Sequence, residues 1–153
     1  MRYATCAEVV CLVCDEVRAL LHGRCVFRGT QRLNEGLGSL FEQSAEKDGH
    51  IVGLTNWRLS GLKKAIDRGD MMSFNGLTHL DTDAFYRDDR GVNYAESRYL
   101  LYYLQQHDLL HAFYRSFRAA RLTDPSGYKT LGEGDMNAFT SRWSTFVNEL
   151  VFP

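Results

Sequence analysis

Glu35 lies in the stretch Arg32-Leu33-Asn34-Glu35-Gly36-Leu37-Gly38-Ser39-Leu40-Phe41-Glu42-Gln43, near the start of an expected helix. A carboxylate there can ligate a cation. It can equally sit solvated in the first turn, where the helix dipole favours negative charge. Four cysteines, Cys6, Cys11, Cys14 and Cys25, all fall within the first 25 residues. A disulfide framework would spread its cysteines along the chain to staple distant loops. Cys11-Leu12-Val13-Cys14 has the spacing of a metal or redox pair, but it sits in a stretch of helical apolar spacing, where free cysteine also serves as a small buried hydrophobe. His107 and His111 stand four residues apart, which fits either a metal on a helix surface or a helix boundary with a solvated face. Tyr94 and Tyr99 can serve as ordinary aromatic packing residues with their hydroxyls at the surface.

The elements that must position these groups read as helices. The chain has 153 residues, 44% of them hydrophobic, enough for one domain with a core. Only Pro125 and Pro153 interrupt helix formation. A first helix is expected over Ala4 to Leu21, with Val9, Val10, Val13, Val17, Leu20 and Leu21 at three- and four-residue steps. A second is expected over Leu33 to Ala45 and a short third over Trp57 to Asp67. The region Gly69 to Val92 reads as irregular, with turn chemistry at Asn75-Gly76, Asp88-Asp89 and Arg90-Gly91 and a brief helical turn at Thr82 to Tyr86. Further helices follow over Tyr94 to His107 with Asn93 as N-cap, over Leu109 to Leu122, and over Asp135 to Leu150. The break between the last two is Asp124-Pro125-Ser126-Gly127. The architecture expected is mainly α, a single domain over 1–153.

The net charge of −1 argues against a general nucleic-acid binder. No apolar run approaches the roughly 20 residues that span a bilayer. Near the start, Glu8, Asp15 and Glu16 interrupt the apolar run and only Arg2 precedes it, which argues against a signal peptide. The expectation is a soluble chain, with a cytoplasmic setting favoured by its cysteines.

Leu33-Asn34-Glu35-Gly36 resembles the W-L-N-E-G motif of gluzincin-type zinc metallopeptidases, the peptidase MA-like and aminopeptidase-N-like group, with Arg32 where the aromatic would stand. Tyr94-Ala95-Glu96-Ser97-Arg98-Tyr99-Leu100-Leu101-Tyr102-Tyr103-Leu104-Gln105 is similar to that family's tyrosine helix, and Tyr94 comes 59 positions after Glu35 (35 to 94), close to the family's interval. The resemblance covers roughly Tyr3 to Gln105. It implies a helical bundle like the zinc-site portion and following helices of such a domain, with residues 106–153 packing on it. It also implies a peptide or protein substrate, Glu35 as third zinc ligand, and Tyr94 as stabiliser of the oxyanion.

Such enzymes take two more ligands from H-E-x-x-H, whose Glu is the general base on the metal-bound water. The fitting stretch here is Ala7-Glu8-Val9-Val10-Cys11. Glu8 stands at the general-base position. Ala7 cannot ligate, whereas the Cys11 thiolate can. Twenty-three residues (12 to 34) separate Cys11 from Glu35, somewhat more than the family uses. The resemblance therefore implies a degenerate or truncated metallopeptidase-like domain, without peptidase activity and with zinc weak or absent. Two other readings stand beside it: an active zinc hydrolase with a variant Cys/Glu/His site using Cys11, Glu35 and His22, and a helical interaction module without chemistry. The chain starts almost at the metal helix, where a complete peptidase carries a substantial part before it. Apolar faces such as Val9/Val13/Val17 are then expected to be exposed, with self-association as the result.

Overall fold

The computed structural model describes residues 31–87, 91–120, 122–131 and 134–153. Ala7, Glu8, Cys11 and His22, the first expected helix with its valine stripe, and the Asp88-Asp89 turn lie outside these residues. The described chain is mainly helical. It runs α1 (Gln31–Phe41), β1 (Ser44–Lys47), β2 (His50–Gly53), α2 (Arg58–Arg68), α3 (Phe74–His79), α4 (Thr82–Tyr86), α5 (Val92–Gln106), α6 (Leu110–Ala119), α7 (Tyr128–Leu131) and α8 (Met136–Glu149).

Everything is organised around α5. Asn93 and Ala95 through Leu104 are all buried, so this helix is covered on every side. Its apolar residues alone would make one stripe, yet Glu96 and Arg98 are also fully buried. Helix α1 crosses one face of α5, while α2, α6 and α8 pack against others. The main apolar joint lies between α3, α5 and α8. Trp143 and Phe74 meet edge to face with centroids 5.1 Å apart, and Phe139 contacts both Phe74 and Tyr103. Trp143 Nε1 donates to the Tyr99 carbonyl at 3.1 Å, so the indole's polar end is satisfied inside the core.

The second helix ends earlier than Ala45. It stops at Phe41, and an antiparallel hairpin follows in which Lys47 pairs with His50. Asp48 and Gly49 both hold positive φ, at 53° and 78°. That is the turn Asp-Gly favours between two strands, and the dipeptide is a hairpin signal readable in the sequence. Gln105 of α5 anchors the hairpin: its amide accepts from Gly53 N and donates to Gly53 O, both at 2.9 Å.

Two further differences come from tertiary packing and capping. Asn75-Gly76 is part of a helix rather than a turn, because Ser73 accepts from Gly76 N at 3.1 Å and Phe74 buries its ring in the core. Asn93 is not the N-cap of α5. Gly91, at φ 68°, holds that position, and Asn93 lies inside the first turn, its amide reaching the Phe85 carbonyl at 3.3 Å. The expected turn at Thr82–Tyr86 is a one-turn helix capped by Asp81. Helix α8 begins where expected, with Asp135 accepting from Asn137 N and Ala138 N. His107 and His111 lie on either side of the α5–α6 break, where Asp108 takes φ 57°. No helix among the described residues is long and apolar enough to cross a membrane.

Candidate functional site

Glu35 stands where α1 passes closest to α5. Its neighbour Gly36 permits the crossing: a Cβ at that position would come 2.9 Å from Leu101 Cδ1 and 3.1 Å from the Ser97 carbonyl oxygen. The two segments singled out in the sequence are therefore in contact, Gly36 of the first against Ser97 and Leu101 of the second. Helix α4 closes the third side and also touches α1.

These three helices bring a carboxylate and two phenols together. Tyr86 of α4 donates its hydroxyl to Glu35 Oε1 at 2.5 Å. Tyr94, in the first turn of α5, packs beside Tyr86 and is close enough to Glu35 to feel its charge. The two tyrosine rings are 6.1 Å apart between centroids. Beneath them, the fully buried Phe85 packs edge-on against each, at 5.8 Å from Tyr86 and 4.9 Å from Tyr94. Phe85 and Tyr86 are adjacent in a one-turn helix, so burying the first aims the second at Glu35.

Burial, followed by the negative charge of Glu35 and the neighbouring Tyr86, pushes the Tyr94 hydroxyl up to about 12. The phenol is thus held protonated through neutral pH. It remains a hydrogen-bond donor, as a stabiliser of developing negative charge must be. On the other side of Tyr94, the Arg58 guanidinium lies 5.5 Å from its ring centroid and 4.3 Å from that of Trp57, which is largely exposed.

Of the predicted site residues, Glu35 and Tyr94 are brought together; Glu8 and Cys11 lie outside the described residues. Among the described residues no group of three or more His, Cys, Asp or Glu is placed to hold a metal ion. A catalytic zinc requires three protein ligands; Glu35 is a single carboxylate, and one of its oxygens already accepts the Tyr86 hydroxyl. The donor set among the described residues does not by itself fit the ion.

Two residues of this site were not read from the sequence. Tyr86 carries only the signal of an aromatic in an Asp81-capped turn, and Arg58 that of an ordinary helix-start cation. Their proximity to Glu35 and Tyr94 depends on how α2, α4 and α5 pack.

The pH behaviour of this cluster is open to direct measurement. Difference titration of the phenolate ultraviolet band, wild type against Tyr94→Phe, is expected to show Tyr94 ionising near 12. In a Glu35→Gln background the value should fall, though not to 10.0, because burial, the larger cause, remains. A group raised in the folded state favours folding below its unfolded value of about 10, and that contribution is lost as pH climbs toward about 12. An unchanged titration in Glu35→Gln would show that the carboxylate does not act on Tyr94.

No protein-family model, curated protein or solved structure matches the chain.

Proposed function

We propose that this chain is a gluzincin-like metallopeptidase domain whose zinc site is degenerate and whose peptidase activity is lost. The observation that carries this reading is the meeting of Glu35 with Tyr94. Fifty-nine positions of chain (35 to 94) separate them, yet the carboxylate and phenol share one cluster. The family needs that pair together, one as metal ligand and the other as donor to the oxyanion. An interaction module without chemistry gives no reason for the two to converge. The loss of activity is argued from Ala7, which has no donor atom, and from Cys11, which stands where the second histidine is expected. Without the ion, a carboxylate at Glu8 has no activated water to deprotonate. When bound in a complete site of this kind, zinc supplies a Lewis acid and a water ionisable near neutral pH.

The test is zinc content and peptide hydrolysis for the full chain, for Ala7→His/Cys11→His, and for the same double variant carrying Glu35→Gln. The parent chain should hold no stoichiometric zinc. The double variant should take it up, and Glu35→Gln should abolish that uptake. Stoichiometric zinc on the parent chain would instead favour the variant Cys11/Glu35/His22 site. Zinc uptake indifferent to Glu35 would remove the peptidase reading.

A further inference from the structure

Behind Tyr94, Arg58 pairs with Glu42, and the buried Arg98 is close enough to feel the charge of both. Arg98 of α5 is completely buried, and its Nη2 donates to the Leu54 carbonyl, in the loop that leads into α2. Among the described residues its Nε and Nη1 have no hydrogen-bond partner, nor has the buried Nε of Arg58. Arg58 opens α2, an 11-residue helix whose N-terminal N–H groups add positive potential at the same place. The acid that faces them is Glu42, 3.4 Å from Arg58 Nη2 and itself 45% exposed. That contact is long for a charge-assisted hydrogen bond and leaves the carboxylate largely in water. Burial pushes the Arg98 guanidinium down from its ordinary value, and Arg58 pushes in the same direction, against Tyr99 and Glu42. Among the described residues, three guanidinium nitrogens of these two arginines lack a partner, and the ion pair beside them, Arg58–Glu42, is half in water. Buried N–H groups are nearly always paired, and a guanidinium's natural partner is a planar or tetrahedral oxyanion held by two parallel bonds.

We infer that Arg58, backed by Arg98 at the start of α2, binds an oxyanion of carboxylate or phosphate type. Arg58 keeps 18% of its side chain exposed and is the group that touches the ligand, in competition with Glu42. Arg98, wholly buried, adds positive charge close to Arg58. The site adjoins the Glu35–Tyr86–Tyr94 cluster through the Arg58–Tyr94 contact. It needs no metal and stands independently of the peptidase reading.

The experiment is calorimetric and thermal-shift titration of the full chain with inorganic phosphate, with sodium chloride at matched ionic strength as control. A short peptide with a free carboxyl terminus and its amidated counterpart form the second arm. Phosphate is expected to bind saturably and raise Tm beyond the chloride control. Arg58→Gln should weaken it at least tenfold, and Glu42→Gln, which removes the competing acid, should tighten it. Displacement of phosphate by the free-acid peptide but not by the amide identifies a peptide carboxylate as ligand; failure of both peptides to displace it identifies a phosphate group. The inference is overturned if phosphate acts no differently from chloride, if Arg58→Gln binds as tightly as the parent, or if Glu42→Gln binds more weakly.

Discussion

Replacing Trp143 by alanine is expected to cost about 3–5 kcal/mol of folding stability, the range for removing a fully enclosed indole. The side chain is 0% exposed and is shared by three helices. It stands on α8, stacks edge-on against Phe74 of α3, and donates to the Tyr99 carbonyl of α5. Truncation removes its apolar contacts, opens a cavity the neighbouring rings cannot collapse into, and leaves the Tyr99 carbonyl without this donor. For a chain of this length the loss corresponds to a fall in Tm of roughly 6–20 °C. Urea denaturation of the parent, Trp143→Ala and Trp143→Phe would measure it, with phenylalanine recovering much of the packing but not the hydrogen bond. A loss below about 1 kcal/mol for alanine would mean that α8 is not a structural part of the α5 core.

The second large effect lies at the helix crossing that carries Glu35. Gly36→Val should destabilise by about 3 kcal/mol, at the upper end for overpacking. The Ser97 carbonyl, 3.1 Å from where the new Cβ would stand, belongs to the backbone of α5 and cannot step aside. Gly36→Ala brings the same Cβ against the Ser97 carbonyl, without the two further methyl groups of valine. Leu101 Cδ1 is the far end of a flexible side chain, and alanine gains about 1 kcal/mol over glycine in a helix interior. The alanine variant should therefore fall between the parent and valine, its helix-propensity gain offset by the Ser97 contact. The crossing also couples stability to the site: lifting α1 from α5 draws Glu35 away from Tyr94, so the Tyr94 titration should move down in Gly36→Val. Equal stability of the valine variant, with Tyr94 unmoved, would refute the close crossing.

Several elements were legible from side-chain periodicity and punctuation. Helix α2 was expected over Trp57 to Asp67 and forms over Arg58–Arg68, because Leu59 and Leu62 lie on one face and Gly69 closes the end in the left-handed conformation. The start of α8 follows from Asp135, whose carboxylate is placed to accept the first free N–H groups. The hairpin was missed although Asp48-Gly49 marks it, since its four-residue strands are mostly exposed and show no alternation of apolar residues. Helix α3 was missed because local turn preference at Asn75-Gly76 is weaker than burial of Phe74 and capping by Ser73.

For the cluster at Glu35, the sequence by itself determined the chemical types and their order along the chain. It set a carboxylate before a glycine on one helix and a tyrosine opening another. Local physics sufficed for that, since helix start, apolar stripe and small residue are all read within a few turns. Tertiary structure alone decided that Tyr86 donates to Glu35, that Phe85 holds both tyrosines from below, and that Arg58 pairs with Glu42. These contacts join residues tens of positions apart, and side-chain periodicity carries no information about which helix faces meet. The burial of Glu96 and Arg98 is of the same kind: on an isolated helix charge belongs at the surface, and only the packing of neighbours around the whole of α5 puts it inside.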